Sequence, residues 1–324
     1  MNAYVKIAGR LLLVGFAATL VLARADSYPS KPIKLLVGTT AGSQIDIRAR
    51  FFAQRLTAAL GQPIVVENRP GATGAIAAEA VAKSQPDGYT ILFAGTELVF
   101  NPVLSESTRY PPLRDFAPIS LGSVGYPLLF VHSSLGVKSL PELIALGKSS
   151  SGQLSCGTAG HASLPHFACA YFGRLAGLDI RSIPYKGSGA ALLDASTGQV
   201  QLAVGFVAES QQYIRTGKLV PLAVFGPSRA VGFAEVPTMA ELGFQGLEIL
   251  GFTSFVAPAG TPSEVVRRLN AEVAKAWKQP DFAEWFAKTN AVFIEYTPEG
   301  FGEFLRSEMA KWRKISAETG IKAE

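Results

Sequence analysis

Four short stretches hold the residue types that do chemistry. They are VGTTAGSQIDI (Val37–Ile47), GTAGHAS (Gly157–Ser163) with His166 just beyond, YKGSG (Tyr185–Gly189) and VGFVAES (Val204–Ser210). Cys156, His161 and His166 are near enough in sequence to make a thiol–imidazole pair. The bland alternative is a cysteine at a strand end and a histidine beside a proline, with no third group to orient the base. Ser188 stands between glycines, but YKGSG lacks the glycine two positions earlier that the nucleophile elbow G-x-S-x-G requires. His132, His161 and His166 are the three histidines of the chain. They show neither H-E-x-x-H nor H-x-x-E-H spacing, so no metal is expected. Phosphate-binding loops fail as well: no G-x-x-x-x-G-K-[ST] occurs, and G-x-G-x-x-G does not follow the first strand. What remains is a set of glycine- and hydroxyl-containing loops, each opening a helix. Backbone N–H groups and a helix dipole there can hold a carboxylate without a cationic side chain. For the first stretch a plain helix cap is the competing account, with Ser43 capping and Asp46 returning the bond three residues later.

The elements that would position these loops alternate along most of the chain. Strand-like IKLLV precedes the helical DIRARFFAQRLTAALG; PIVVEN, GAIAAEAVAKS and YTILFAG follow. The alternation resumes at YPLLFVH and runs through SLPELIALGKS, QLSCGT, LPHFACAYFGRLAG, IRSIPYK, GAALLDASTG, QLAVGF, ESQQYIRTG and LVPLAVF. Such βα alternation with short loops predicts mainly parallel sheets flanked by helices, with ligand loops at the carboxyl ends of the strands. The last third is mostly helical, and Thr261-Pro262 and Thr297-Pro298 read as N-caps with proline at the first helical position. Chain crossings near Gly122–Tyr126 and Gly251–Thr253 would divide the chain into one domain of residues 26–124 and 252–324 and another of residues 125–251.

Lys6 and Arg10 precede the apolar run Leu11–Ala23, and Ala23-Arg24-Ala25 has the A-x-A cleavage pattern. Residues 1–25 are therefore expected to be a secretory signal peptide. Its removal takes three cations and no anion, lowering the formal charge from +5 to +2; a basic nucleic-acid-binding surface is not expected. Cys156 and Cys169 are the two cysteines. Secretion would permit a bridge, but two buried free thiols are the favoured expectation.

Several phrases occur together in the order of one known family: YPSKPIKLLVG, ALGQPIVVENRPGATG, PDGYT, NPVL, DFAPIS, GTAGHASLPH, PYKGSG, TGQVQL, TGKLVPLAV, EVPTMAELG and FVAPAGTP. Across residues 28–322 the chain resembles the substrate-binding receptors of tripartite tricarboxylate transporters, also called Bordetella uptake gene (Bug) proteins. The resemblance implies a periplasmic, two-domain α/β clamshell of the type II binding-protein kind. It would be a monomer that holds one small organic acid in its cleft, needs no cofactor, catalyses nothing and serves membrane permease subunits. A sensor feeding a signalling partner is the alternative role.

The ligand loops depart from the family pattern. Thr39 stands where an aromatic residue is usual, Ala41 for proline and Ser43 for the second glycine, while Gly42 and Asp46 remain. Gly205 replaces a frequent aspartate, and Glu97 stands where small hydroxyls are usual. The residues expected around the ligand are Thr39, Thr40, Gly42, Ser43, Gln44, Asp46 and Glu97 from the first domain. Gly160, His161, Ser163, Lys186, Gly205 and Phe206 are expected from the second, with Phe252 at the return crossing. Lys186 is a candidate counter-ion, although a lysine after a strand commonly points to solvent. Glu97 either sits solvated on the rim or faces the cleft. In the second case a second ligand carboxylate at about 4 Å would cost roughly 4 kcal/mol at an effective dielectric of about 20. No arginine occurs in the four loops to offset it, which ranks amino acids and aromatic monocarboxylates ahead of citrate-like acids.

Overall fold

The computed structural model describes residues 28–104, 108, 110–149, 154–288 and 291–322; the expected leader lies outside them. Its first strand shows why a buried sheet forms. In β1 (Ile33–Val37) only Lys34 breaks an apolar run, and Ile33, Leu35, Leu36 and Val37 are all buried. A strand covered by helices on both faces has this continuous apolar character. In α1 (Gln44–Leu60), Ala49, Phe52, Ala53, Leu56 and Leu60 fall on one buried stripe, the three-and-four spacing of an amphipathic helix. It ends at Gly61, whose φ of 69° is the left-handed C-cap that glycine adopts without a Cβ clash.

The first half continues through β2 (Ile64–Asn68), α2 (Ala75–Ala82), β3 (Thr90–Gly95), α3 (Glu97–Leu104), α4 (Pro112–Asp115) and β4 (Phe116–Gly125). The chain then builds β5 (Leu128–His132), α5 (Leu140–Ser149), β6 (Leu154–Thr158), α6 (Leu164–Ala176), β7 (Ile180–Pro184), α7 (Ser188–Ser196), β8 (Leu202–Gly205), α8 (Val207–Arg215) and β9 (Leu219–Val224). It returns along β10 (Gly251–Pro258) and closes with α9 (Ser263–Trp277), α10 (Pro280–Lys288), β11 (Ala291–Val292) and α11 (Pro298–Thr319).

Two sheets result, ordered β11-β4-β10-β3-β1-β2 and β7-β6-β8-β5-β9. The βα units give parallel pairs, β1 with β2 and β3, and β6 with β7 and β8. Antiparallel pairs arise around the strands that carry the chain between sheets. β10 lies antiparallel between β3 and β4, and β5 lies antiparallel between β8 and β9. Both sheets are thus mixed within the α/β clamshell class. The alternation rule missed β4 and β10 because neither belongs to a βα unit.

Each half has its own core. Under the first sheet Phe52 is fully buried, with ring centroids 5.1 Å from Phe255 and 4.8 Å from Phe282. A second cluster around Leu128, Phe130, Leu192 and Ala203 fills the second. Between them α11 packs on α3, β4 and α6. Trp312 of α11 meets Phe100 of α3 at 4.2 Å and Phe167 of α6 at 5.3 Å, so one aromatic cluster joins elements of both sheets.

Thr297 caps α11 as expected, accepting from the Gly300 N–H. Thr261 does not cap α9: its hydroxyl donates to the Pro258 carbonyl, and Pro262 occupies the cap position. The two-free-thiol expectation is also corrected. Cys156 and Cys169 are disulfide-bonded, with Cα atoms 6.5 Å apart, because α6 folds straight back over the strand that precedes it.

Candidate functional site

The carboxyl ends of β1, β3, β6 and β8 open onto one cavity of about 640 Å³ between the two sheets. Its polar lining includes Gln44 and Arg48 of α1, Glu97 of α3, His161 and Ser163 before α6, Ser188 of α7 and Glu209 of α8. Phe100, Phe206 and Phe252 supply apolar surface.

Most polar groups of the first loop are spent on shaping it. Ser43 is the N-cap of α1 and accepts from the Asp46 N–H, while its hydroxyl lies 2.7 Å from that of Thr39. Asp46 is only 2% exposed. Its carboxylate accepts from the Gly42 N–H at 2.8 Å, from Asn68 Nδ2 at 2.8 Å and from Arg50 Nε at 3.0 Å. Burial alone would raise its pKa; the bonds from Arg50, Gly42 and Asn68 outweigh that and hold it below the usual carboxylate value. The loop also needs glycines where backbones touch, since a Cβ on Gly38 would lie 2.5 Å from Gly74 Cα.

Of the fourteen residues expected around a ligand, the cavity brings together Gln44, Glu97, Gly160, His161, Ser163, Phe206 and Phe252. Thr39, Thr40, Gly42, Ser43, Asp46, Lys186 and Gly205 do not line it. Thr39, Gly42, Ser43 and Asp46 bond within the loop, and the Thr40 carbonyl accepts from the Ser43 N–H. Gly205 is buried in β8, where a Cβ would meet Leu192 at 3.0 Å.

Glu97 is not a solvated rim carboxylate. It opens α3 and folds back so that Oε1 accepts from the Gly95 N–H at 2.7 Å. Burial pushes its pKa up, opposed by bonds from the Gly95 and Glu97 amides. A Cβ on Gly95 would come within 2.5 Å of Glu97 Oε2, so glycine there makes room for the carboxyl.

The residue that sequence reasoning missed is Arg48. No arginine lies in the loops, but one helical turn into α1 the Arg48 side chain enters the cavity. Its Nη1 donates to Ser123 Oγ at 3.2 Å, and Ser123 is bonded to Thr253 at 2.9 Å. Both hydroxyls come from the crossing strands β4 and β10 and are buried. Arg48 Nε has no hydrogen-bond partner. Burial lowers the Arg48 pKa and the facing Glu209 raises it. The helical stripe itself was the available signal, because position 48 lies between buried Asp46 and Ala49 and their neighbours. Glu209 was missed for a similar reason, lying three residues beyond the expected Phe206.

The second lobe's loop repeats the first. Ser163 is the N-cap of α6 and accepts from the His166 N–H, and His166 Nδ1 accepts from the Ala162 N–H at 3.0 Å. An imidazole in that role must be neutral; burial and the neighbouring His161 lower its pKa to about 4. His161 Nε2 lies 2.9 Å from the Lys322 carbonyl, so the chain beyond α11 reaches the cavity's second wall.

The thiol–imidazole reading loses its parts here. Cys156 has no free thiol, and the bonded ring nitrogens of His161 and His166 meet backbone groups, the Lys322 carbonyl and the Ala162 N–H. Among the described residues no group of three His, Cys, Asp or Glu side chains is placed to hold a metal, and no helix is long and apolar enough to cross a membrane.

Residues 48–321 match the family described as the tripartite tricarboxylate transporter family receptor. The chain belongs to that family. BugT of Bordetella pertussis is 35% identical over 302 residues, covering 92% of both chains. A protein encoded in the tcbD–tcbE intergenic region of Pseudomonas sp. strain P51 is 32% identical over 324 residues, covering 98% of this chain and 96% of that one. Among solved structures, an R. palustris protein with adipate superposes at a TM-score of 0.80 with 31% identity, covering 91% of this chain and 99% of that one. MatC of Rhodopseudomonas palustris with bound malate gives 0.76 and 28%, covering 89% and 99%. The receptor family and these neighbours are binding proteins.

Proposed function

We propose that the mature protein captures one small organic carboxylate in this cavity, in the periplasm, and delivers it to the permease subunits of a tripartite tricarboxylate-type transporter, without catalysing a reaction. One observation carries the reading. Arg48 lies at the base of a cavity of about 640 Å³ between the two lobes, anchored by Ser123, with Nε unpartnered. A buried guanidinium with a spare N–H is a strong carboxylate partner. The family and the adipate and malate of its neighbours support the same chemistry. The leader at residues 1–25 would direct the receptor to the periplasm, where it would act as a monomer.

The lobes, residues 26–124 with 252–324 and residues 125–251, would close on the ligand by hinge bending. The crossings face each other, Gly125 pairing with Gly251 in the β4–β10 ladder, and Phe206 packs against both. Small-angle scattering should show a smaller radius of gyration at ligand saturation; an unchanged radius counts against closure.

A thermal-shift screen of mono-, di- and tricarboxylates and amino acids tests the function. A binder at 100 times its dissociation constant stabilises the fold by about 2.7 kcal/mol. A melting temperature indifferent to every acid would overturn the proposal.

A further inference from the structure

Opposite Arg48 the cavity holds a carboxylate with no structural employment. Glu209 is the third residue of α8, the place from which a carboxylate usually reaches back to bond the start of its helix. Glu142, the third residue of α5, does so in this chain, accepting from the Lys138 N–H at 2.8 Å. Glu209 instead lines the cavity, and its Oε2 is buried without a hydrogen-bond partner. Arg48 Nε is buried without a partner too. The two charges come from opposite lobes and feel each other, yet no ion pair joins them. Both side chains line the one cavity, Arg48 from α1 and Glu209 from α8, so a ligand there can lie against both.

We propose that Arg48 and Glu209 form one subsite that selects a ligand carrying a cationic N–H group beside a carboxylate, the carboxylate on Arg48 and the N–H group on Glu209. This rests on the carboxylate-receptor reading and names the specificity within it. A plain carboxylate bound at Arg48 would bring like charge up to Glu209 in a partly dehydrated space. At about 4 Å and an effective dielectric of about 20, that repulsion is worth roughly a thousandfold in affinity. A zwitterionic head group satisfies both side chains and adds no net charge to the cavity. Glu97 does not compete for the cation on equal terms, because its Oε1 is already bonded to the Gly95 N–H.

Titration calorimetry on the mature protein with matched pairs of acids reads the selection directly: aspartate against succinate, 2-aminoadipate against adipate, and 2-aminobutyrate against butyrate. In wild type the amino member of the binding pair should be at least tenfold tighter. Glu209→Gln should bring the ratio to near one, mainly by strengthening the plain acid and weakening the amino acid. Glu209→Ala, which removes the acceptor outright, should do the same. Arg48→Gln should weaken both members together. Circular dichroism and melting temperature establish that each variant is folded.

Equal binding of both members by wild type, or a ratio unchanged in both Glu209 variants, overturns the subsite while leaving carboxylate capture intact. Equal loss for both members in the Glu209 variants would make Glu209 a latch between the lobes and also overturns it. If wild type binds none of these acids nor any acid of the thermal-shift screen, the carboxylate-receptor reading falls as well.

Discussion

The lips of the cleft, Thr39–Asp46 in one lobe and Gly160–His166 in the other, are built to the same plan with opposite chemistry. In each, a serine caps the helix, and the residue three positions on reaches back to the N–H just before the cap. Asp46 bonds Gly42, and His166 bonds Ala162. Asp46 is a buried anion with three donors and does its work ionised. His166 does its work only while neutral. The polarity of such a loop is thus no guide to what lines the cavity: in the first lobe it holds the loop's shape, and Gln44, Ile45 and Arg48 of α1 form the lining. In the second, Gly160, His161, Ala162 and Ser163 themselves line the cavity.

The largest expected difference between the lobes is covalent. The Cys156–Cys169 disulfide ties strand to helix beside the second lip, with 13 residues of sequence separation. Closing a loop of that size restricts the unfolded chain by about 3 kcal/mol. Cys156→Ala with Cys169→Ala should lower stability by roughly 2–4 kcal/mol in chemical denaturation, and a wild type insensitive to reductant would remove this asymmetry.

Asp46→Ala comes next. It removes the acceptor shared by the Gly42 N–H, Asn68 and Arg50; Arg50 is half exposed and Asn68 keeps the Thr39 carbonyl, so the expected cost is about 1–2 kcal/mol. A loss below about 0.5 kcal/mol would mean that the network does not hold the lip.

His166 should make the second lip the acid-sensitive one. Its folded pKa of about 4 lies below the unfolded value of 6.5, so the unfolded chain binds more protons between them. The stabilisation is full above pH of about 6.5 and is lost as pH falls through about 4. Discounted for partial solvent exposure, the loss is about 1–2 kcal/mol. His166→Gln should flatten the stability profile across that window. Asp46, with its pKa depressed, should lose its contribution only as pH falls below the ordinary aspartate range, which is about 4. A profile unchanged by His166→Gln would show that the imidazole is not the group that titrates.

The smallest effects are those of the caps. Ser43→Ala and Ser163→Ala should each cost about 1 kcal/mol, measured by thermal or chemical denaturation. Ser163→Ala should also loosen Gly160, whose carbonyl accepts from Ser163 at 2.7 Å. Equal, negligible effects would reduce both serines to surface residues.

Most of the fold could be read before the structure. Apolar runs such as Ile33–Val37 and the stripe of Phe52 and Leu56 are local patterns, and Ser43 and Thr297 announce their helices by their own chemistry. The strands β4 and β10 were hidden because their partners are distant in sequence, Phe255 lying opposite Ser120 and Phe93. The site was legible as four loops and illegible as charges. Arg48 continues the buried stripe of α1 four residues before Phe52, but the Ser123 and Thr253 hydroxyls that anchor it are distant in sequence. The bond of Cys156 to Cys169 likewise depends on how closely α6 returns over β6.

The central claim is that a ligand carboxylate is held in the cleft by Arg48. The most direct measurement is titration calorimetry of wild type and Arg48→Gln with the tightest acid from the screen. Losing the buried guanidinium should cost about 3 kcal/mol, more than a hundredfold in dissociation constant, with the melting temperature of the free protein little changed. Affinity unchanged in a folded Arg48→Gln protein would contradict the account.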